Sequence, residues 1–132
     1  MDKLVIRATR YTPEILLDPK QHLLEIKGES YPENIAEFYT PVFAWIESYF
    51  NQAEKRADNQ TVTVNLELIY FNSSSSKILL DLFDLFEAAA GRGLNIVVNW
   101  VYEADDEDML EFGEEFLEDF TSLSFNLVAR DI

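Results

Sequence analysis

No cysteine occurs anywhere in the chain, which excludes disulfides, thiolate metal sites and a cysteine nucleophile and is compatible with a reducing compartment. Histidine occurs once, at His22. Lysine and arginine are scarce: 10 against 25 acidic residues, for a formal net charge of −15. Phosphate backbones and anionic headgroups are held by clustered cations, so neither nucleic acid nor a membrane surface is an expected partner. No stretch approaches 18 uninterrupted apolar residues and the first residues, Met1 to Arg7, hold no apolar signal-like run. A soluble, untargeted, cytoplasmic protein is the expectation. Glycine and proline number four each, which leaves long segments free for regular structure.

Against these absences stands an abundance of apolar side chains, 48% hydrophobic and 14% aromatic, with ten Phe, six Tyr and two Trp. At 132 residues the chain is expected to fold as one domain, residues 1–132, able to bury roughly two-thirds of its unfolded surface without cross-links. The charge is uneven. Ten of the 25 acidic residues lie between Glu103 and Asp119, a span without Lys or Arg; this is either a solvated helix face or a surface that steers a basic protein partner.

Hydrophobic period divides the chain. Leu4, Ile6 and Ala8 alternate with Val5, Arg7 and Thr9, Glu14 to Leu17 runs into the turn signal Asp18-Pro19, and His22 to Lys27 is closed by Gly28, predicting three short strands. From Pro32 to about Ala53 the apolar residues Ile35, Phe38, Val42, Trp45, Ile46 and Tyr49 recur at helical spacing, with Pro32 in the first turn. Pro41 lies inside and predicts a kink or a restart capped by Thr40. Thr61 to Phe71 reads as a strand with Val62, Val64, Leu66, Leu68 and Tyr70 on one face and Thr63, Asn65 and Glu67 on the other. A helix pattern from Lys77 to Ala90 buries Leu79, Leu82, Phe83 and Phe86 and stops at Gly91-Arg92-Gly93. Leu94 to Tyr102 alternates again, with Ile96, Val98, Trp100 and Tyr102 together. Glu107 to Phe120 is a third helix with Met109, Phe112, Phe116 and Phe120 as its apolar stripe, and Phe125 to Ala129 is either a final strand or a tail. The order β-β-β-α-β-α-β-α, with a possible terminal β, predicts an α/β (α+β-like) fold: one mixed sheet, the strands near Thr61 and Leu94 parallel, helices mainly on one face.

Chemistry is sparse. The Gly-x-Ser-x-Gly elbow is absent, so a Ser-His-Asp arrangement using His22 has no local support. Asp105, Asp106, Glu107 and Asp108 lack the spacing of an EF-hand and read as a helix start favoured by the dipole. Trp100 and Tyr102 are either core or a ligand platform. No catalytic residue, metal or cofactor is expected. The informative junction is Asn72 followed by Ser73, Ser74, Ser75 and Ser76, between strand and helix patterns. Ser and Asn are favoured N-caps on structural grounds alone. A hydroxyl in a first helical turn also lies beside unpaired N–H groups and the positive dipole end, where an added phosphate is electrostatically favoured.

The blocks Gly28-Glu29-Ser30-Tyr31-Pro32-Glu33-Asn34, Tyr70-Phe71-Asn72-Ser73-Ser74-Ser75-Ser76-Lys77, Asn99-Trp100-Val101-Tyr102, and Asp106-Glu107-Asp108-Met109 through Gly113-Glu114-Glu115-Phe116 together resemble the SiaC family of bacterial regulatory phosphoproteins. The resemblance spans nearly the whole chain. It implies a fold like that of STAS-domain anti-anti-sigma factors and a partner-switching role without catalysis. It further implies that a serine/threonine kinase modifies the hydroxyl directly after the junction Asn, here Ser73, with Ser74 as the alternative, and that a PP2C-type phosphatase reverses this. The unmodified form is then expected to bind and activate a diguanylate cyclase, linking the chain to cyclic-di-GMP and biofilm control. Asn72, Ser73, Ser74, Ser75 and Lys77 are the expected partner contacts. The chain departs from the family in having Ser where Thr is familiar, and from STAS proteins in having Asn72 for Asp and no Gly after the serine pair. The competing expectations are an antagonist of an anti-sigma factor and a small acidic metal-dependent hydrolase.

Overall fold

The computed structural model describes residues 1–56 and 60–131. Among these residues six strands and three helices follow in the order β1 (Leu4–Ile6), β2 (Glu14–Asp18), β3 (Leu23–Ser30), α1 (Ile35–Lys55), β4 (Thr61–Phe71), α2 (Ser73–Gly91), β5 (Asn95–Glu103), α3 (Glu107–Asp119) and β6 (Ser124–Arg130). The strands form one mixed sheet in sequential order, β1 to β6. The first three pair antiparallel, and β3 through β6 are parallel. Each parallel step is a strand-helix-strand crossover moving the same way across the sheet, and a shared right-handed sense delivers all three helices to one face. Phe125 to Ala129 is therefore a strand and not a tail.

The core lies between that face and the helices. Val62, Val64, Leu66 and Leu68 of β4 and Ile96, Val98 and Trp100 of β5 are buried together with Val42, Ile46 and Phe50 of α1, Leu79, Leu82, Phe83 and Phe86 of α2, and Met109 and Phe116 of α3. Trp100 is core and not a ligand platform; its indole N–H donates to the Met109 carbonyl at 2.9 Å. The face opposite the helices mixes Asn and Glu side chains with Val97, Val101 and Val128. The rung Glu25, Asn65, Asn99 and Asn126 is a ladder of side-chain amides, with each Asn donating to its neighbour at 3.0, 2.9 and 3.0 Å. It satisfies groups that an uncovered parallel sheet leaves half-exposed.

Five local expectations are corrected. Gly28 does not close β3: with φ +118 it lies inside the strand, where the β3/β4 register skips from Gly28↔Leu68 to Glu29↔Tyr70. Ile69 is thereby the extra residue of a bulge, and the alternation inverts. Tyr70, expected inside, is 49% exposed and packs edge-on against Tyr31, while Phe71 turns into the core. The first helix starts at Ile35 with Asn34 as its cap, accepting from the Glu37 N–H at 3.1 Å, so Pro32 lies outside it. Pro41 does not restart α1. Pro41 and Glu37, whose carbonyl it leaves unbonded, both face solvent, and Thr40 bonds back to the Ala36 carbonyl instead of capping. Finally, Phe112 leaves the buried stripe of α3 and is 38% exposed.

Candidate functional site

The parallel strands β3 and β4 end together, at Ser30 and Phe71, and the chain turns from β4 into α2 through one residue. Asn72 has extended backbone and caps the helix: its Oδ1 accepts from the Ser75 N–H at 2.9 Å, and its carbonyl accepts the first intrahelical bond, from the Ser76 N–H. Its own N–H donates to the Ser30 carbonyl at 3.2 Å, as a last rung between strand ends. The serine run is thus not a linker before a helix starting at Lys77, as periodicity implied. Ser73 is the first helical residue, because an N-cap needs no hydrophobic signal to start a helix.

This start sorts the serines. Ser75, expected among the surface contacts, is 1% exposed and faces the sheet. Its hydroxyl donates to the Ser30 carbonyl at 2.8 Å and lies 2.9 Å from Ser30 Oγ, which is in turn 2.6 Å from the Tyr39 hydroxyl of α1. One assignment satisfies every proton: Tyr39 donates to Ser30 Oγ, Ser30 to Ser75 Oγ, and Ser75 to the Ser30 carbonyl. Burial pushes the Tyr39 phenol up to about 12, partly offset by its bond to Ser30. The trio anchors the start of α2 to β3 and α1. Sequence patterning missed Ser30 and Tyr39; the available signal was a polar residue at an inward strand position.

Ser73 and Ser74 are exposed, Asn72 and Ser76 half-buried, and Lys77 exposed without an ion pair among the described residues. The first turn of α2 contains no acidic residue, whereas α1 has Glu37 there and α3 has Glu107 and Asp108. The dipole at Ser73 is therefore not neutralised locally. Ser73 also lines an open cavity of about 250 Å³ with Phe71, Asn72, Ser76 and Phe112; the rings of Phe71 and Phe112 are 5.0 Å apart.

The other candidates fall elsewhere. His22 precedes β3 and its Nδ1 lies 2.6 Å from the Tyr49 hydroxyl; eight rungs of sheet, roughly 25 Å at strand rise, separate that edge from Ser73. Asp106 is the N-cap of α3, accepting from the Met109 N–H at 3.1 Å. Among the described residues no group of three His, Cys, Asp or Glu is arranged to hold a metal, and no helix is long and apolar enough to cross a membrane.

A single mixed sheet with three helices, and an exposed hydroxyl on the first residue of the helix after β4, places the chain in the mixed α/β class. The chain belongs to the SiaC family: the model for SiaC family regulatory phosphoprotein matches residues 6–130. An uncharacterized protein of Pseudomonas aeruginosa (strain UCBPP-PA14) is 34% identical over 131 residues, covering 99% of both chains. The crystal structure of apo-SiaC from Pseudomonas aeruginosa matches at 33% identity with a TM-score of 0.81, covering 98% of this chain and 99% of that one. SiaC in complex with the diguanylate cyclase SiaD, for which it is the activator, matches at 34% identity with the same TM-score and coverage.

Proposed function

We propose that this chain is a non-catalytic, cytoplasmic signalling protein whose choice of partner is set by reversible phosphorylation of Ser73. A serine/threonine kinase adds the phosphate and a PP2C-type phosphatase removes it. The unmodified form binds and activates a diguanylate cyclase, as SiaC does for SiaD in the related complex. The observation that carries this reading is the exposed Ser73 hydroxyl on the first residue of a helix whose first turn holds no acid. A phosphate there brings about −1.5 to −2 charge and is stabilised by the dipole by roughly 0.3–1 kcal/mol. Lys77, one turn on, is placed to pair with it. Modification then changes the surface without melting the helix, and the partner is lost through bulk and desolvation. Ser74 is the alternative acceptor, since it too is exposed.

The test is kinase treatment followed by site mapping and cyclase binding. Ser73→Ala resists modification and keeps cyclase binding, whereas phosphorylation of the wild-type chain weakens binding at least ~10-fold, or ~1.4 kcal/mol. Phosphate mapped to another residue, or binding unchanged once Ser73 carries it, overturns the proposal. Capture of an anti-sigma factor in place of a cyclase would keep the switch and replace its output.

A further inference from the structure

Phe112 breaks the pattern of its helix. Met109, Phe116 and Phe120 are each 6% exposed, while Phe112, which belongs to the same stripe, stays open at 38%. One side of its ring packs on Phe71, and it forms a wall of the cavity that Ser73 and Ser76 also line. An exposed aromatic ring over a pit with room for one side chain is the form of a binding anchor. Along the same helix Asp108 and Glu115 stand about one turn before and after Phe112 and Glu111 adjoins it; all three are exposed, and no cation occurs between Glu103 and Asp119.

From this apolar pit and its anionic rim, we infer that the partner seats one apolar side chain between Phe112 and Ser73, carried on a protein segment whose flanking residues are Lys or Arg. The two parts act at different stages. The acidic helix accelerates encounter with a basic segment, and the pit sets the lifetime of the complex. This division resolves a conflict of signs in the switch on which the inference rests. A phosphate on Ser73 adds negative charge, and by charge alone it would strengthen attraction for a basic partner. Loss of docking therefore arises in the pit, because a dianion there cannot be stripped of water and covered by an apolar side chain.

The probe is a synthetic amphipathic helical peptide of leucine, lysine and arginine, titrated into the labelled full chain by NMR, with rates measured by surface plasmon resonance. Saturable shifts centred on Phe71, Ser73, Ser76 and Phe112, with smaller ones at Glu111 and Glu115, are expected. Phe112→Ala weakens affinity at least ~10-fold by faster dissociation. Glu111→Lys with Glu115→Lys slows association several-fold, by about the factor that added salt produces in the wild type. Ser76→Met fills the pit with Phe112 left in place and also abolishes seating, so a folding defect in Phe112→Ala does not decide the matter. Phosphorylated Ser73 raises the dissociation rate without slowing association. No saturable binding, shifts centred on the groove between α1 and α2 around Phe43 and Ile78, or wild-type affinity in both Phe112→Ala and Ser76→Met overturns the inference. The peptide replaces the cyclase, so a chain that seats it yet ignores every cyclase refutes the partner assignment alone.

Discussion

Ser73 and Ser75 have the same chemistry and opposite fates, because two residues along a first helical turn separate solvent from the sheet. Ser75→Ala removes a donor to the Ser30 carbonyl and the acceptor for the Ser30 hydroxyl; the expected loss is about 1–2 kcal/mol in urea unfolding, against less than about 0.5 kcal/mol for exposed Ser73→Ala. Equal midpoints for the two variants would contradict the buried network. Tyr39 supplies a pH test. Its pKa is raised from 10.0 to about 12 by burial, so the folded state holds the proton more tightly than the unfolded chain does. That contribution to stability is complete below pH ~10 and is lost as pH rises toward ~12, a change of up to about 3 kcal/mol. Tyr39→Phe should flatten the wild-type decline over this window, and parallel curves would refute the role. At this scale the sequence displayed the candidate hydroxyls but not their sorting. Serine has no hydropathy signal for burial, and the partners of Ser75 are distant in the chain.

Each helix begins on a short polar side chain, Asn34, Asn72 or Asp106, that accepts from an N–H three residues on. The interior of α3 is set by Gly113. A Cβ there would lie 2.5 Å from Trp100 Cδ1, 2.7 Å from Leu127 Cδ2 and 2.8 Å from Trp100 Nε1, so the helix lies against the indole only because that carbon is missing. Gly113→Ala should cost about 1–3 kcal/mol by overpacking, in spite of the gain in helix propensity. It should also shift Trp100 fluorescence by displacing the indole bond to Met109; an unchanged spectrum and a raised Tm would contradict the packing. Element type was legible up to α3, since periods of two and 3.6 residues separate cleanly in β4, α2 and β5, whereas the segment that forms β6 read equally as strand or tail. Element ends were not. A bulge at Gly28 and Ile69 inverted Tyr70 and Phe71, and the caps at Asn34 and Asn72 moved the starts of two helices.

Over the whole molecule, a formal charge of −15 on a chain of this size is self-repulsive. Raising NaCl from ~0.02 to ~0.5 M, which shortens the screening length to a few ångströms, should therefore raise Tm by several degrees. The three surface ion pairs among the described residues, Lys27 with Glu25, Arg92 with Glu54 and Arg130 with Glu67, oppose this weakly. A Tm that fell with salt would mean that specific pairs outweigh net repulsion. By itself the sequence determined what depends on neighbours along the chain: the kinds of elements and their order, the parallel pairing of β4 with β5, the acidic run, and the Asn–Ser junction. Only the tertiary structure decided what depends on distant residues meeting: which serine the sheet absorbs, which phenylalanine of α3 stays open beside Ser73, and which sheet face is left to an asparagine ladder. Local pattern sets what a segment can become, but burial is a property of the surfaces that close over it.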